Sequence, residues 1–163
     1  MCEHLALARP GPLPFDLDLV LDAEGAATDA VVRCRRCGSN ALLRLLDAVG
    51  PGLRLRVFSL APVAAAPVAL LRRDLERGSC DLGRPARELE AFLACAGPVS
   101  RLLACDLDAG ALLACAPPPA GRRVPTRNWR AGLPEPGDAS WFEPLGLAKP
   151  GAGGARGGGT AGG

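Results

Sequence analysis

The chain has 163 residues, a formal net charge of +2 and 48% hydrophobic content. That length favours a single domain. No apolar run approaches the roughly 20 residues of a membrane-crossing helix, so a membrane-spanning role is not expected. Much of the apolar content is alanine, and there are only four Phe, two Trp and no Tyr, so leucine and valine must build the core.

Other bulk features narrow the setting. Lys149 is the one lysine among 19 basic residues, an arginine bias expected of a GC-rich, bacterial genome. Pro10, Pro12, Pro14 and Asp16 break up the N-terminal apolar residues, so no secretory leader is read. Seven cysteines, an odd number without regular spacing, point to a reducing cytoplasm rather than to a disulfide framework. Charge is unevenly placed. Residues 1–29 set Arg9 against Glu3, Asp16, Asp18, Asp22, Glu24 and Asp29, while residues 30–80 carry an excess of arginine. Sequential strands tend to pair, so much of this asymmetry should cancel across neighbours.

Phe15 to Asp22 alternates with period two. This predicts a half-buried strand with Phe15, Leu17, Leu19 and Leu21 on one face and Asp16, Asp18 and Asp22 on the other. Asp22-Ala23-Glu24-Gly25 supplies a turn, and a second strand is expected from about Thr28 to Cys34. Residues 41–49 are ambiguous. Leu42, Leu45, Leu46 and Val49 fit helical spacing behind a Ser39 or Asn40 cap. The strand is preferred, because Gly50-Pro51-Gly52 is a turn and Leu53 to Val57 alternates behind it, as in a hairpin. A helix is predicted from Pro67 to Arg77, with Leu70, Leu71 and Leu75 as its stripe and Gly78 as its stop. A second runs from about Pro85 to Ala96, presenting Ala86, Leu89, Phe92, Leu93 and Ala96. Another hairpin follows, Arg101–Leu107 and Ala111–Ala116 about an Asp108-Ala109-Gly110 turn. Beyond Pro117-Pro118-Pro119 the pattern dissolves. Trp129, Trp141 and Phe142 are expected to dock this arm on the body, and Gly151–Gly163 predicts a disordered tail.

The fold class expected is therefore α+β: a small antiparallel sheet built from hairpins, with a Cys-x2-Cys knuckle and two helices packed on one face. Residues 1–120 would form a zinc-stabilised domain, 121–150 an irregular Pro/Trp arm and 151–163 the tail.

One constellation carries metal chemistry. Cys34-Arg35-Arg36-Cys37-Gly38 places two thiolates in a turn, and Cys2-Glu3-His4 supplies a third thiolate and the chain's one histidine. On an extended segment, residues two apart point to the same side, so Cys2 and His4 could both face the turn. Three thiolates and an imidazole make a closed tetrahedral set, which predicts structural zinc at Cys2, His4, Cys34 and Cys37. The five-residue knuckle resembles those of many zinc-stabilised modules, and unrelated proteins share it.

Three other readings compete. Cys34 and Cys37 could act as a redox pair if residues 41–49 formed a helix whose N-terminus lowered a thiol pKa. Arg33, Arg35, Arg36, Arg44, Arg54 and Arg56 lie in or beside adjacent strands and could give a basic, nucleic-acid-binding face. Asp16, Asp18 and Asp22 could take a hard cation, although alternating aspartates are more often a wet strand face. Of the other cysteines, Cys95, Cys105 and Cys115 read as buried apolar thiols, and Cys80 as part of a turn capped by Asp81. No Gly-x-Ser-x-Gly elbow or Walker loop occurs, and the terminal glycines, which follow no strand, make no dinucleotide fingerprint. The sequence thus leans away from an enzyme, towards a zinc-stabilised module that binds an unknown protein partner, with a zinc-ribbon-like nucleic-acid binder as the alternative.

Overall fold

The computed structural model describes residues 2–6, 13–23, 26–78, 84–114, 123–124, 127, 129–135 and 137–147. The glycine-rich stretch 151–163, Cys80, Asp81, Cys115 and the Pro117–Pro119 run lie outside them.

Among the described residues, seven strands form one antiparallel sheet. In chain order they are β1 (Phe15–Ala23), β2 (Ala26–Cys34), β3 (Asn40–Gly50), β4 (Leu53–Val63), β5 (Arg101–Asp106), β6 (Ala111–Ala114) and β7 (Arg130–Gly132). Their spatial order is β6-β5-β4-β3-β2-β1-β7. The first six are a meander in which each strand lies beside its sequence neighbour, the layout that short turns favour. The ambiguous segment 41–49 is strand β3. It pairs with β4 along its whole length from Asn40↔Val63 to Gly50↔Leu53. Pro51 and Gly52 make the turn, and the positive φ of Gly52 (69°) fits glycine at the third position of a type II turn.

The sheet is flanked by α1 (Glu3–Ala6) and the longer α2 (Ala65–Glu76) and α3 (Arg84–Ala94). A 3-10 segment, Asp138–Leu145, follows β7. Alternation along each strand sends successive side chains to opposite faces, and the core is accordingly split. One cluster joins Phe15, Leu17, Val32, Cys34, Leu43, Leu45, Phe58, Leu60 and Leu103 with Cys2, Leu5 and Leu13 from the N-terminal segment and Phe142 and Leu145 from the 3-10 segment. The other joins Leu19, Leu21, Val31, Leu42 and Val63 with Val68 and Leu71 of α2, Leu89, Phe92 and Ala96 of and beyond α3, and Trp129. Leu70, expected in the α2 stripe, is instead exposed, because Val68, Leu71 and Leu75 make the inward i, i+3, i+7 row.

Strand β1 departs from simple alternation. Leu17 pairs with Val32 and Leu19 with Val31, so Asp18 is an extra residue in a bulge. Phe15, Leu17 and Val20 therefore face the first cluster, and Leu19 and Leu21 face the second. The expected single apolar face is corrected for a physical reason. Between β2 and β7, β1 is covered on both sides, and a doubly covered strand needs apolar groups on both. Asp18 is buried rather than wet, and its carboxylate contacts Arg72 of α2.

The second cluster also encloses a charged pair. Asp29 and Arg44 are cross-strand partners on β2 and β3, both essentially without solvent exposure, with Nε to Oδ2 at 3.2 Å. Burial raises the Asp29 pKa, opposed by the charges of Arg44 and Arg127. Burial likewise lowers that of Arg44, opposed by Asp29. The Arg44 guanidinium lies 5.2 Å from the ring centroid of Trp129, a cation–π contact. Removing one partner, as in Asp29→Ala, is expected to cost about 3–5 kcal/mol in urea unfolding by stranding a buried charge. Asp29→Leu combined with Arg44→Met should recover most of that loss. A double variant as unstable as the single one would contradict this reading.

Candidate metal centre

The metal site begins with one turn of helix. The Leu5 N–H donates to the Cys2 carbonyl at 3.1 Å, so Cys2 and Leu5 stack three residues apart and both enter the first cluster. The extended geometry expected for Cys2 and His4 is therefore corrected: a helical turn brings them together, because burying Leu5 beside Cys2 requires it. Leu13 extends this anchoring, its N–H donating to the Leu145 carbonyl at 2.7 Å.

Strand β2 delivers the second half. Cys34 ends it, buried and opposite Phe15. The chain reverses through residues 35–37. The Gly38 N–H donates to the Cys34 carbonyl and the Cys34 N–H to the Ser39 carbonyl, each at 2.9 Å. Gly38 has φ 71°, a left-handed conformation cheap only for glycine. The Arg35 N–H donates to the Pro14 carbonyl at 2.8 Å and fixes the turn beside the N-terminal segment.

These two halves bring all four expected ligands together. The ligand atoms of Cys2, His4, Cys34 and Cys37 lie within 4.8 Å of one another. His4 Nδ1 is 3.6 Å from Cys2 Sγ and 3.4 Å from Cys34 Sγ, and Cys37 Sγ is 3.3 Å from Cys2 Sγ. Zinc–sulfur and zinc–nitrogen bonds of ordinary length imply tetrahedral edges of about 3.5–3.8 Å, and these separations fall close to that range. Nδ1 faces the sulfurs, which leaves Nε2 to carry the proton of a neutral, ligating imidazole. Among the described residues this is the one group of three or more His, Cys, Asp or Glu side chains close enough to share an ion. Asp16, Asp18 and Asp22 form no such group. Asp16 pairs with Arg35 at 3.5 Å and Asp18 with Arg72.

The thiols differ in environment. Burial, reinforced by the Cys37 contact, pushes the Cys2 thiol up to about 12. Cys37 is exposed, and hydrogen bonds from the Ser39 hydroxyl and backbone bring it down to about 6. No helix follows Cys37, so the dipole required by the redox-pair reading is missing; residues 40–50 are strand. Three thiolates and one divalent ion leave a single net negative charge. Arg33, Arg35 and Arg36 are exposed around the turn, and the buried Arg101 donates from Nη1 to the His4 carbonyl at 3.3 Å, a setting that favours that charge.

The six arginines read as a basic face are divided by the sheet. Arg33 and Arg44 share the pleat parity of Val31 and Leu42, whereas Arg54 and Arg56 share that of Phe58 and Leu60 on the opposite side. Arg44 is buried with Asp29, Arg56 makes a bidentate pair with Asp47 at 2.7 and 2.9 Å, and Arg54 meets Asp108 at 3.4 Å. Cys105 is buried as expected, but Cys95, expected in an apolar interior, is exposed just past the end of α3.

Sequence reasoning missed an apolar row. Leu46↔Val57, Val57↔Ala104 and Ala104↔Leu113 are direct partners, so the four residues line up across β3–β6 on the face that carries Leu42. Leu46 and Leu113 are 44% and 47% exposed. Each strand contributes only one of these residues, so the row exists only in the register.

No known protein family, curated protein or solved structure matches the chain. No helix among the described residues is long and apolar enough to cross a membrane.

Metal binding should be proton-coupled. Above about pH 6 the Cys37 thiol is already ionised, but Cys2 holds its proton until about pH 12 and must release it to bind. Apparent zinc affinity should therefore rise at least about tenfold per pH unit between pH 6 and 8, and more steeply below pH 6, where Cys37 also has a proton to lose. Chelator competition at several pH values measures this, and a flat profile would contradict it.

Proposed function

We propose that this chain is a non-enzymatic, zinc-stabilised module that binds another protein. The observation that carries the zinc reading is the convergence of four soft or borderline donors within 4.8 Å. Three thiolates and an imidazole prefer zinc, and a filled tetrahedral set leaves no position for water or substrate, so the metal's role is structural. The ion would join the N-terminal turn to the end of β2, segments about 30 residues apart in sequence, and metal-binding free energy would then serve as folding free energy.

The row Leu46–Val57–Ala104–Leu113 supports protein binding. Its two ends, Leu46 and Leu113, are exposed, with Val57 half-buried and Ala104 buried between them, and exposed apolar side chains flanking an apolar floor are the kind of surface a partner covers. Amphipathic α2 and α3 already bury Val68, Leu71, Leu89 and Phe92 on the neighbouring part of the same sheet face. The row is uncharged and continues that surface, so it fits the apolar stripe of a partner's amphipathic helix. A phosphate backbone requires cations there instead.

Protein purified without chelator is expected to contain one equivalent of zinc. Cys34→Ser should hold less than about a tenth of that, and its melting temperature should fall by roughly 10 °C or more. Full-length protein without zinc would contradict the reading. The binding surface is tested separately with Leu46→Asp/Leu113→Asp. A helical partner held by wild-type protein should be lost from this variant while zinc content and circular dichroism stay unchanged. Equal capture by both proteins, or salt-sensitive retention on heparin in its place, would contradict it.

A further inference from the structure

The four ligands are not equally protected. Cys2 and Cys34 are buried in the first cluster, whereas Cys37 is exposed on the turn and belongs to neither cluster. Its sulfur lies 3.3 Å from that of Cys2. Cys37 also contacts the Cys34 side chain, but Cys34 is held at the end of β2 by its pairing with Phe15, with its sulfur against His4 Nδ1 at 3.4 Å. A disulfide needs its sulfurs about 2.05 Å apart. The Cys2–Cys37 pair therefore closes with a shift of just over an ångström, and the residue that must move sits on a surface turn beside Gly38.

From this we infer that Cys2 and Cys37 form a peroxide-sensitive disulfide site that controls occupancy of the metal centre. The inference rests on the zinc reading above. Hydrogen peroxide reaches Cys37 from solvent. The Cys37 sulfur attacks one peroxide oxygen, the O–O bond breaks, and the distal oxygen leaves as water, giving a sulfenic acid. The Cys2 thiolate then attacks the Cys37 sulfur. The S–S bond forms, the S–O bond breaks, and the oxygen leaves as a second water. The two thiolates lose two electrons, one hydrogen peroxide gains them with two protons from solvent, and zinc stays divalent throughout. Cys34 and His4 alone are too few to retain the ion, so it is released. The new bridge still ties the N-terminal turn to the β2 end, which keeps Leu5 in the core. Oxidation thus empties the site without releasing the segment, and a thiol reductant with added zinc restores it.

The sequence lets the pairing be read directly. Trypsin cuts after Arg33, Arg35 and Arg36, so Cys2, Cys34 and Cys37 fall on three different peptides. Zinc content of the full-length protein is measured first, and protein isolated without zinc would overturn the metal reading together with this one. The zinc-loaded protein then receives one equivalent of hydrogen peroxide, with zinc release followed by a chromophoric chelator. One zinc per protein should appear, the intact mass should fall by two hydrogens, and non-reducing digestion should yield a Cys2–Cys37 cross-linked peptide. Dithiothreitol with zinc should reverse all three changes. The variant Cys95→Ser/Cys105→Ser, altered outside the site, should respond identically. Zinc retained after peroxide, a Cys34–Cys37 bridge, or Cys37 carried to sulfinic acid without a cross-link would each overturn the proposal.

Discussion

The N-terminal segment is anchored at one meeting point, where the first helical turn reaches the turn that ends β2. That contact places Cys2 and Leu5 in the core cluster with Phe15, Phe58 and Phe142. A four-residue helix has no stability of its own in water. It is held by the two apolar side chains it buries and by the donors that converge with the β2 turn. A divalent ion there would turn a weak local contact into a strong cross-link, while the sheet, large enough to bury its own core, would still fold around it.

The rest of the molecule follows from a sheet that is covered twice. An antiparallel sheet with one wet face can place its charges outward by alternation alone. Here the N-terminal segment and the 3-10 segment lie on one side and α2 and α3 on the other. Charges on the covered part of the sheet are therefore buried in pairs or moved aside, while Arg33, Asp47 and Arg54 stay exposed towards the strand ends. Asp29 and Arg44 are buried as a pair, and Asp18 is shifted by a bulge to meet Arg72. Where the helices stop, Leu46 and Leu113 on the same face are left exposed, at the two ends of the row that Val57 and Ala104 complete.

Local signals in the sequence were largely sufficient for the elements. The Pro51-Gly52 turn between two alternating runs identified the β3–β4 hairpin, and the Leu89/Phe92/Ala96 spacing identified α3. Ligand chemistry was legible for the same reason: four soft donors in two short segments are a local pattern. Long-range information was not. The period-two pattern of Phe15–Leu21 holds equally with or without a bulge, so nothing in it shows that β1 is covered twice. The three residues of β7 carry no periodic signal and become a strand only by pairing with Val20–Asp22. Arg44 looks like a surface cation until its partners Asp29 and Trp129 are placed around it. The apolar row is invisible because its members come from four strands.

X-ray absorption at the zinc edge of the purified, reduced protein tests the central claim most directly, because it reads the identity of the ligands as well as the presence of the metal. The account predicts a four-coordinate shell of three sulfurs at about 2.3 Å and one imidazole nitrogen at about 2.0–2.1 Å. A shell made up only of oxygen and nitrogen, or a shell that is unchanged when His4 is replaced by alanine, would contradict it.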